Sequence, residues 1–208
     1  MKRVLWFVLA LAAGVAARGA AQKVTIGVQG AFGDYRETDS SLAFKGSGGG
    51  GSLGFSYHKF GADVEFASIK YDPRSGNDSS FTAKQLDIHL RYFIMPHVAL
   101  EVGSTKRTIS PQFAAQDMSA ARFGLRGVYD IGPGGTLTLR GNFLPGAKFS
   151  GGGSSGFAME LGMGMSVGAS NGRYRLTADY AFQRVNRKTA DKVPIQQSLA
   201  KVGLQLGL

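Results

Sequence analysis

The chain contains no cysteine, which excludes a disulfide framework and any thiolate metal site. It also lacks an apolar run long enough for a spanning helix: Val4 to Ala17 amounts to 14 residues, where about 20 are needed. Histidine is limited to His58, His89 and His97, and none falls in a clustered His/Asp/Glu spacing, so no metal or cofactor is expected. Acids are few as well, 14 against 24 bases, for a formal net charge of +10. A basic balance can point to nucleic acid, but the first residues argue against that partner.

Those residues read as a secretory leader. Lys2 and Arg3 precede the apolar stretch, and Gly19 and Ala21 supply the small residues of a cleavage site. Residues 1–21 are therefore expected to be a signal peptide, and 22–208 a single mature domain. Losing Lys2, Arg3 and Arg18, and no acid, lowers the formal charge from +10 to +7. In an exported chain the remaining bases suit a lumen lining or anionic lipid headgroups, and no nucleic acid is expected.

What the mature chain does contain is alternation. Ten segments place apolar and polar residues at successive positions, the period of a strand with unlike faces. Residues 157–168 are the cleanest, with Phe157, Met159, Leu161, Met163, Met165 and Val167 against Ala158, Glu160, Gly162, Gly164, Ser166 and Gly168. The last segment, Ser198 to Leu208, sets Ala200, Val202, Leu204, Leu206 and Leu208 against Lys201, Gly203, Gln205 and Gly207.

The gaps between segments are alternately long and short. Residues 34–51, 72–82, 108–119, 145–155 and 183–194 read as long loops; the first holds the run Gly46 to Ser52 and the fourth is rich in glycine and serine. No Lys-Ser/Thr follows the glycine run, so a phosphate cradle is not expected. Long and short connections in phase, with an even strand number, predict an all-β, transmembrane, antiparallel up-and-down barrel of ten strands, or eight if the second and third do not span. Both termini would then be periplasmic.

Residue size orients the faces. Glycines such as Gly27, Gly54, Gly103, Gly124, Gly162 and Gly203 crowd the polar face, and bulky residues fill the other. Small side chains suit the concave interior of a narrow barrel, and a basic residue at the bilayer midplane costs roughly 2 to 4 kcal/mol, so the polar face is expected inside. Tyr57, Phe60, Tyr92, Tyr129 and Tyr174 near the short turns, and Phe32, Tyr71, Phe81, Phe143, Phe157 and Phe182 near the long loops, would form two aromatic girdles.

The terminal strand resembles the assembly signal of outer-membrane β-barrels: Lys201, Gly203, Leu206 and Leu208 stand at its positions, with leucine where the terminal aromatic usually is. By overall pattern the mature chain resembles the superfamily of small bacterial outer-membrane barrels that includes the OmpA, OmpX and OmpW types. The resemblance implies residence in the outer membrane and contact with its lipid, lipopolysaccharide and the barrel-assembly machinery. It brings no functional motif.

The charged residues expected inside are Lys23, Asp63, Glu65, Asp87, Arg91, Glu101, Arg107, Arg122, Arg126, Asp130, Arg140, Glu160, Arg173, Arg175, Asp179 and Lys201. So balanced a set in a narrow barrel most naturally pairs into salt bridges that fill it. No histidine has a serine two residues on, the arrangement of outer-membrane lipid A deacylases, and Asp87 and Glu101 have Arg91 and Arg107 nearby, which favours ion pairing over a proton-sharing dyad. No catalytic residues are expected. The function expected is a non-enzymatic envelope protein acting through extracellular loops on envelope integrity or a surface ligand; the alternative is a narrow anion-preferring channel. The basic segment of Arg184, Arg187, Lys188 and Lys192 reads either as a phosphate- or polyanion-binding loop or as a solvated one.

Overall fold

The computed structural model describes residues 22–37, 42–74, 79–168, 173–188 and 194–208. The expected leader lies outside them. Ten long strands follow one another in antiparallel order: β1 (Gln22–Glu37), β2 (Ala43–Tyr57), β3 (Phe60–Pro73), β4 (Phe81–Met95), β5 (Val98–Ser110), β6 (Met118–Asp130), β7 (Gly135–Phe143), β9 (Ser154–Gly168), β10 (Tyr174–Lys188) and β11 (Pro194–Gly207). A two-residue strand, β8 (Lys148–Phe149), lies between β7 and β9 in the chain. β1 pairs with β11 and β9 with β10, so the sheet closes on itself.

The registers fix the barrel's geometry. Phe60 faces Tyr92, and the ladder continues through Leu100, Leu125, Gly141, Leu161, Phe182, Ser198, Asp34 and Lys45 to Asp72 on the starting strand. One circuit therefore climbs 12 residues, from 60 to 72. A shear of 12 on ten strands tilts them by roughly 40° and leaves an interior only a few side chains wide.

β2 and β3 pair from Phe44–Pro73 to Tyr57–Phe60, which rules out the eight-stranded alternative. The glycine run expected as a loop is part of β2. Unbroken ladders on both sides hold it extended, and its residues are small because the neighbouring backbone is close. A methyl group on Gly48 or Gly50 would overlap the Ser68 or Phe66 carbonyl oxygen. The segment 145–155 is likewise ordered. β8 pairs with β6 and β9, and Leu144, Ala147 and Phe149 are buried. The expected 108–119 loop is shortened too, because β5 runs on to Ser110, a 3-10 turn spans Ala114–Gln116 and β6 starts at Met118.

The outer face between the two ends is an apolar band. Val28, Phe66, Leu90, Leu125, Met163, Leu176 and Val202 are all exposed on it, far beyond the few hundred Å² usual for a soluble monomer. Tyr57, Phe60, Tyr92, Tyr129 and Tyr174 face outward near the short turns, as do Phe32, Phe143 and Phe157 at the other end. Tyr71 and Phe81 do not join that girdle. They are buried inside, because alternation continues past the band while the polarity of the two faces reverses. On β3 the outward series Val64, Phe66 continues as Ser68, Lys70, and the inward series Asp63, Glu65 continues as Ala67, Ile69, Tyr71.

Candidate functional site: the barrel interior

Inward charged residues from eight strands, β3–β7 and β9–β11, meet inside the barrel. Glu101 on β5 is fully buried and accepts from His89 Nδ1 (2.7 Å), Arg126 Nε (2.5 Å) and Asn142 Nδ2 (2.9 Å). Arg122 Nη1 lies 2.6 Å from His89 Nε2. A guanidinium only donates, so Nε2 accepts and the ring proton sits on Nδ1, facing Glu101. The other Arg122 nitrogen, Nη2, reaches Asp87 (3.0 Å) and Glu160 (2.7 Å).

The chain of charges continues around the wall. Arg140 Nε lies 3.5 Å from Glu160, and its two terminal nitrogens hold Asp179 at 2.7 and 2.8 Å. Asp179 lies 3.6 Å from Lys201, which bonds Glu65. On the turn side Asp63 is shared by Arg91 (2.8 Å) and Arg126 (3.6 Å). Six carboxylates and five cations thus form one connected network, with His89 joining its halves. Removing one partner from such a set leaves its neighbour charged and desolvated, at a cost of about 3–5 kcal/mol.

Glycine provides the room. Arg140 faces Gly162, Arg91 faces Gly61, Glu101 faces Gly124, Asp179 faces Gly164 and Asp63 faces Gly54 across their ladders. A methyl group at Gly162 would come within 2.5 Å of Arg140 Nε, and one at Gly61 within 2.7 Å of the Arg91 guanidinium. The Arg140 and Arg91 side chains lie over the glycines beside them.

Not every residue expected inside enters the network. Asp130 ends β6 and Arg173 precedes β10, so both stand exposed at the turn-end rim, as does Lys23. Arg175 is half-buried near that rim, donating to Gly134 O (3.0 Å) and Thr136 Oγ1 (3.1 Å). Arg107 is buried above the network with no acid within ion-pair distance among the described residues: Nη1 donates to Gln183 (3.3 Å) and to Gln197. Its guanidinium lies 5.8 Å from the Tyr35 ring centroid. Of the terminal signature, Lys201 and Gly203 point inward and Leu208 is exposed. Arg184 and Arg187 bond Asn186 and Gly152 O; Lys192 lies outside the described residues.

Above Arg107 the interior turns apolar. Tyr35, Phe44, Tyr71, Phe81 and Phe113 form one aromatic cluster, with ring centroids 4.9 Å apart for Phe44–Phe81 and 5.0 Å for Tyr71–Phe81. Ile69, Ile109, Met118, Leu144, Phe149 and Val185 pack into the same buried core. A methyl group at Gly33 or Gly46 would run into the Tyr71 ring. Phe113, at φ 59°, carries the β5–β6 connection over the cluster. Of these aromatic residues the sequence marks Tyr71 and Phe81 only as girdle candidates and leaves Tyr35, Phe44 and Phe113 in expected loops, since parity and not residue type puts them inside.

Two spaces flank the network. A cavity of about 200 Å³ on the turn side is bordered by Asp63, Arg91, Arg126, Thr138, Thr177 and Gln205. A void of about 20 Å³, the room of one or two waters, lies between Asp87, Glu160, Gln183 and Gln197. Among the described residues no group of three or more His, Cys, Asp or Glu side chains could hold a metal ion.

The architecture is similar to that of the outer membrane protease OmpT from Escherichia coli, at 10% identity over 91% of this chain and 97% of that one, with a TM-score of 0.56. It is also similar to the β domain of the Bordetella autotransporter BrkA, at 13% identity, 90% and 100% coverage and a TM-score of 0.50. The fold is that of the small bacterial outer-membrane β-barrels. The Neisserial surface protein A structure matches at 14% identity, 88% and 96% coverage and a TM-score of 0.44. No protein-family model matches the chain, and no curated protein matches its sequence.

Proposed function

We propose that this chain is an integral outer-membrane protein with a sealed interior and no catalytic activity, acting through its loop end in envelope integrity or surface interaction. Its termini lie on the periplasmic side, and its partners are outer-membrane lipid, lipopolysaccharide, the barrel-assembly machinery through the Lys201–Leu208 signature, and a ligand at the loops. The observation that carries the reading is the stacking of two closures. The charge network crosses the middle of the barrel, and the aromatic core closes the loop end above it. The 200 Å³ cavity therefore ends blind.

The absence of catalysis rests on the histidines. Both ring nitrogens of His89 are engaged, by Glu101 and Arg122. His97 bonds the Val128 carbonyl and stacks on Tyr129, and His58 lies edge-on to Tyr57, both at the turn end. None is free to activate a nucleophile.

Conductance of the refolded protein in a planar bilayer tests the proposal. An inserted but electrically silent barrel is expected. Discrete anion-selective steps, reduced by replacing Arg122 or Arg140, would overturn it in favour of the narrow channel.

A further inference from the structure

Strict alternation lets the outward residues be followed up each strand, beyond the apolar band. On β2, β3, β4 and β5 the first charged outward residue above the band is in every case a lysine: Lys45, Lys70, Lys84 and Lys106. All four are exposed.

The four form a row. Lys70 faces Ser47 on β2 and Thr82 on β4, Lys84 faces Thr108, and Lys106 faces Leu86. Each lysine thus sits two residues nearer the turn end than the ladder partner of the one before. The ladder itself climbs 12 residues per circuit of ten strands, so the row runs almost level around the barrel. Diagonal neighbours of this kind are roughly 7–8 Å apart.

Among the described residues Lys84 and Lys106 have no acid facing them, whereas Lys45 faces Asp34 on β1 and Asp72 on β3 across its two ladders. Asp72 lies 3.8 Å from Lys70 but also accepts from Ser80, and Asp34 is taken by Arg74. Among the described residues, no carboxylate lies within ion-pair distance of Lys45, Lys84 or Lys106. The row is also one-sided, since the outward faces of β6, β7 and β9 carry no charged residue. Below it, past Ser47, Gly49 and Gly51 on β2, Ser68 on β3 and Ser104 on β5, the exposed side chains of Leu53, Phe66, Leu86, Ile88 and Val102 present an apolar surface.

A level row of mobile point charges above an apolar wall is complementary to an amphiphile with acyl chains and more than one phosphate. We propose that the outer face of β2–β5 binds a phosphorylated lipid of the surrounding monolayer, its phosphates on Lys45, Lys70, Lys84 and Lys106 and its chains on the wall below. Lysine fits such a ligand, because the ammonium adapts to a phosphate as a point charge and its stem spans the edge of the band. The site rests on the membrane-spanning reading above and adds to it a preferred neighbour on one side.

Two measurements in sequence test the site. The full chain is first refolded into phosphatidylcholine vesicles, which hold none of the proposed ligand; failure to insert there would sink the membrane reading itself. Inserted protein is then taken into zwitterionic detergent, and retention of diphosphorylated lipid A and of its dephosphorylated form is measured by native mass spectrometry. At least about a tenfold preference for the phosphorylated probe is expected, lost in the Lys45→Gln, Lys70→Gln, Lys84→Gln, Lys106→Gln variant and kept when the same four become arginine. Should the fourfold variant fail to fold, Lys84→Gln with Lys106→Gln is expected to lose severalfold of the preference. Equal retention of the two probes by wild type, or an unchanged preference in the glutamine variants, would overturn the site while leaving the barrel in the membrane.

Discussion

Arg107 on β5 donates through Nη1 to Oε1 of Gln197 on β11, 90 positions away in the chain and across the barrel interior. The arginine is fully buried, yet among the described residues its Nε and Nη2 have no hydrogen-bond partner. It marks the boundary where the charge network gives way to the aromatic core. A buried guanidinium held only by neutral amides and a ring face carries an uncompensated desolvation cost. Arg107→Met, similar in length and apolar, should therefore unfold in urea at the same or a higher concentration than wild type. Gln197→Leu keeps the charge and removes its acceptor, and should cost about 1.5–3 kcal/mol. If the methionine variant were the less stable of the two, the arginine would be a net stabiliser and this account of the boundary would be wrong.

Glu101 is the acceptor on which His89, Arg126 and Asn142 converge. Glu101→Leu leaves Arg126 with only the longer carboxylate contact, to Asp63 at 3.6 Å, and removes the group that fixes the His89 tautomer. A loss of about 3–5 kcal/mol in unfolding free energy is expected. A Glu101→Leu protein with wild-type stability would mean that the interior is well hydrated and the network contributes little.

The pairing of glycines with charged chains makes a steric prediction. Gly162→Val would drive a branched side chain into the Arg140 guanidinium, and should prevent refolding or lower stability by about 1–3 kcal/mol or more. Gly141, on the neighbouring strand, has nothing nearer than Leu161 Cδ2 at 3.7 Å, so Gly141→Ala should fold normally. Heat-modifiable mobility of the two variants on a gel, which separates folded from unfolded barrels, gives the comparison.

Strand number, strand order and the placement of short turns are legible in the sequence because the outer band must be apolar for its whole height, which writes a period of two into every strand. The register of β3 is harder to read for a related reason. At Phe66 the strand leaves the band, and the same alternation continues with its polarity reversed, so Ser68, Lys70 and Ile69, Tyr71 look like a lost pattern. The glycine run in β2 looks like a loop because local propensity favours one there; only the ladders of β1 and β3 hold it straight. Which charges meet is not legible either. Arg122 and Glu160 come together only once the shear and the position of β9 are known.

The aromatic core should carry much of the stability of the loop end. Phe81 touches Tyr35, Phe44, Tyr71 and Phe113, with centroids between 4.9 and 5.4 Å. Phe81→Ala should cost about 3–5 kcal/mol. Hydrogen exchange should place the loss at the loop-end residues of β2–β5, with the turn ends unaffected. Uniform loss of protection over all strands would mean that the core and the network are a single cooperative unit.

The outer face of β4 offers the sharpest test of what surrounds the barrel. Leu90 sits midway along the apolar series Leu86, Ile88, Leu90, Tyr92 and Ile94 and is exposed, while Thr82 stands on the same face above Lys84. In a bilayer, Leu90→Arg places a cation at the hydrocarbon midplane and should cost roughly 2–4 kcal/mol, whereas Thr82→Arg should cost no more than about 1 kcal/mol. In water both positions are solvated surface, and the two variants would be equally stable. Unfolding in phosphatidylcholine vesicles distinguishes the cases: a depth-dependent penalty is expected, and two equal, small effects would mean that no hydrocarbon faces β4.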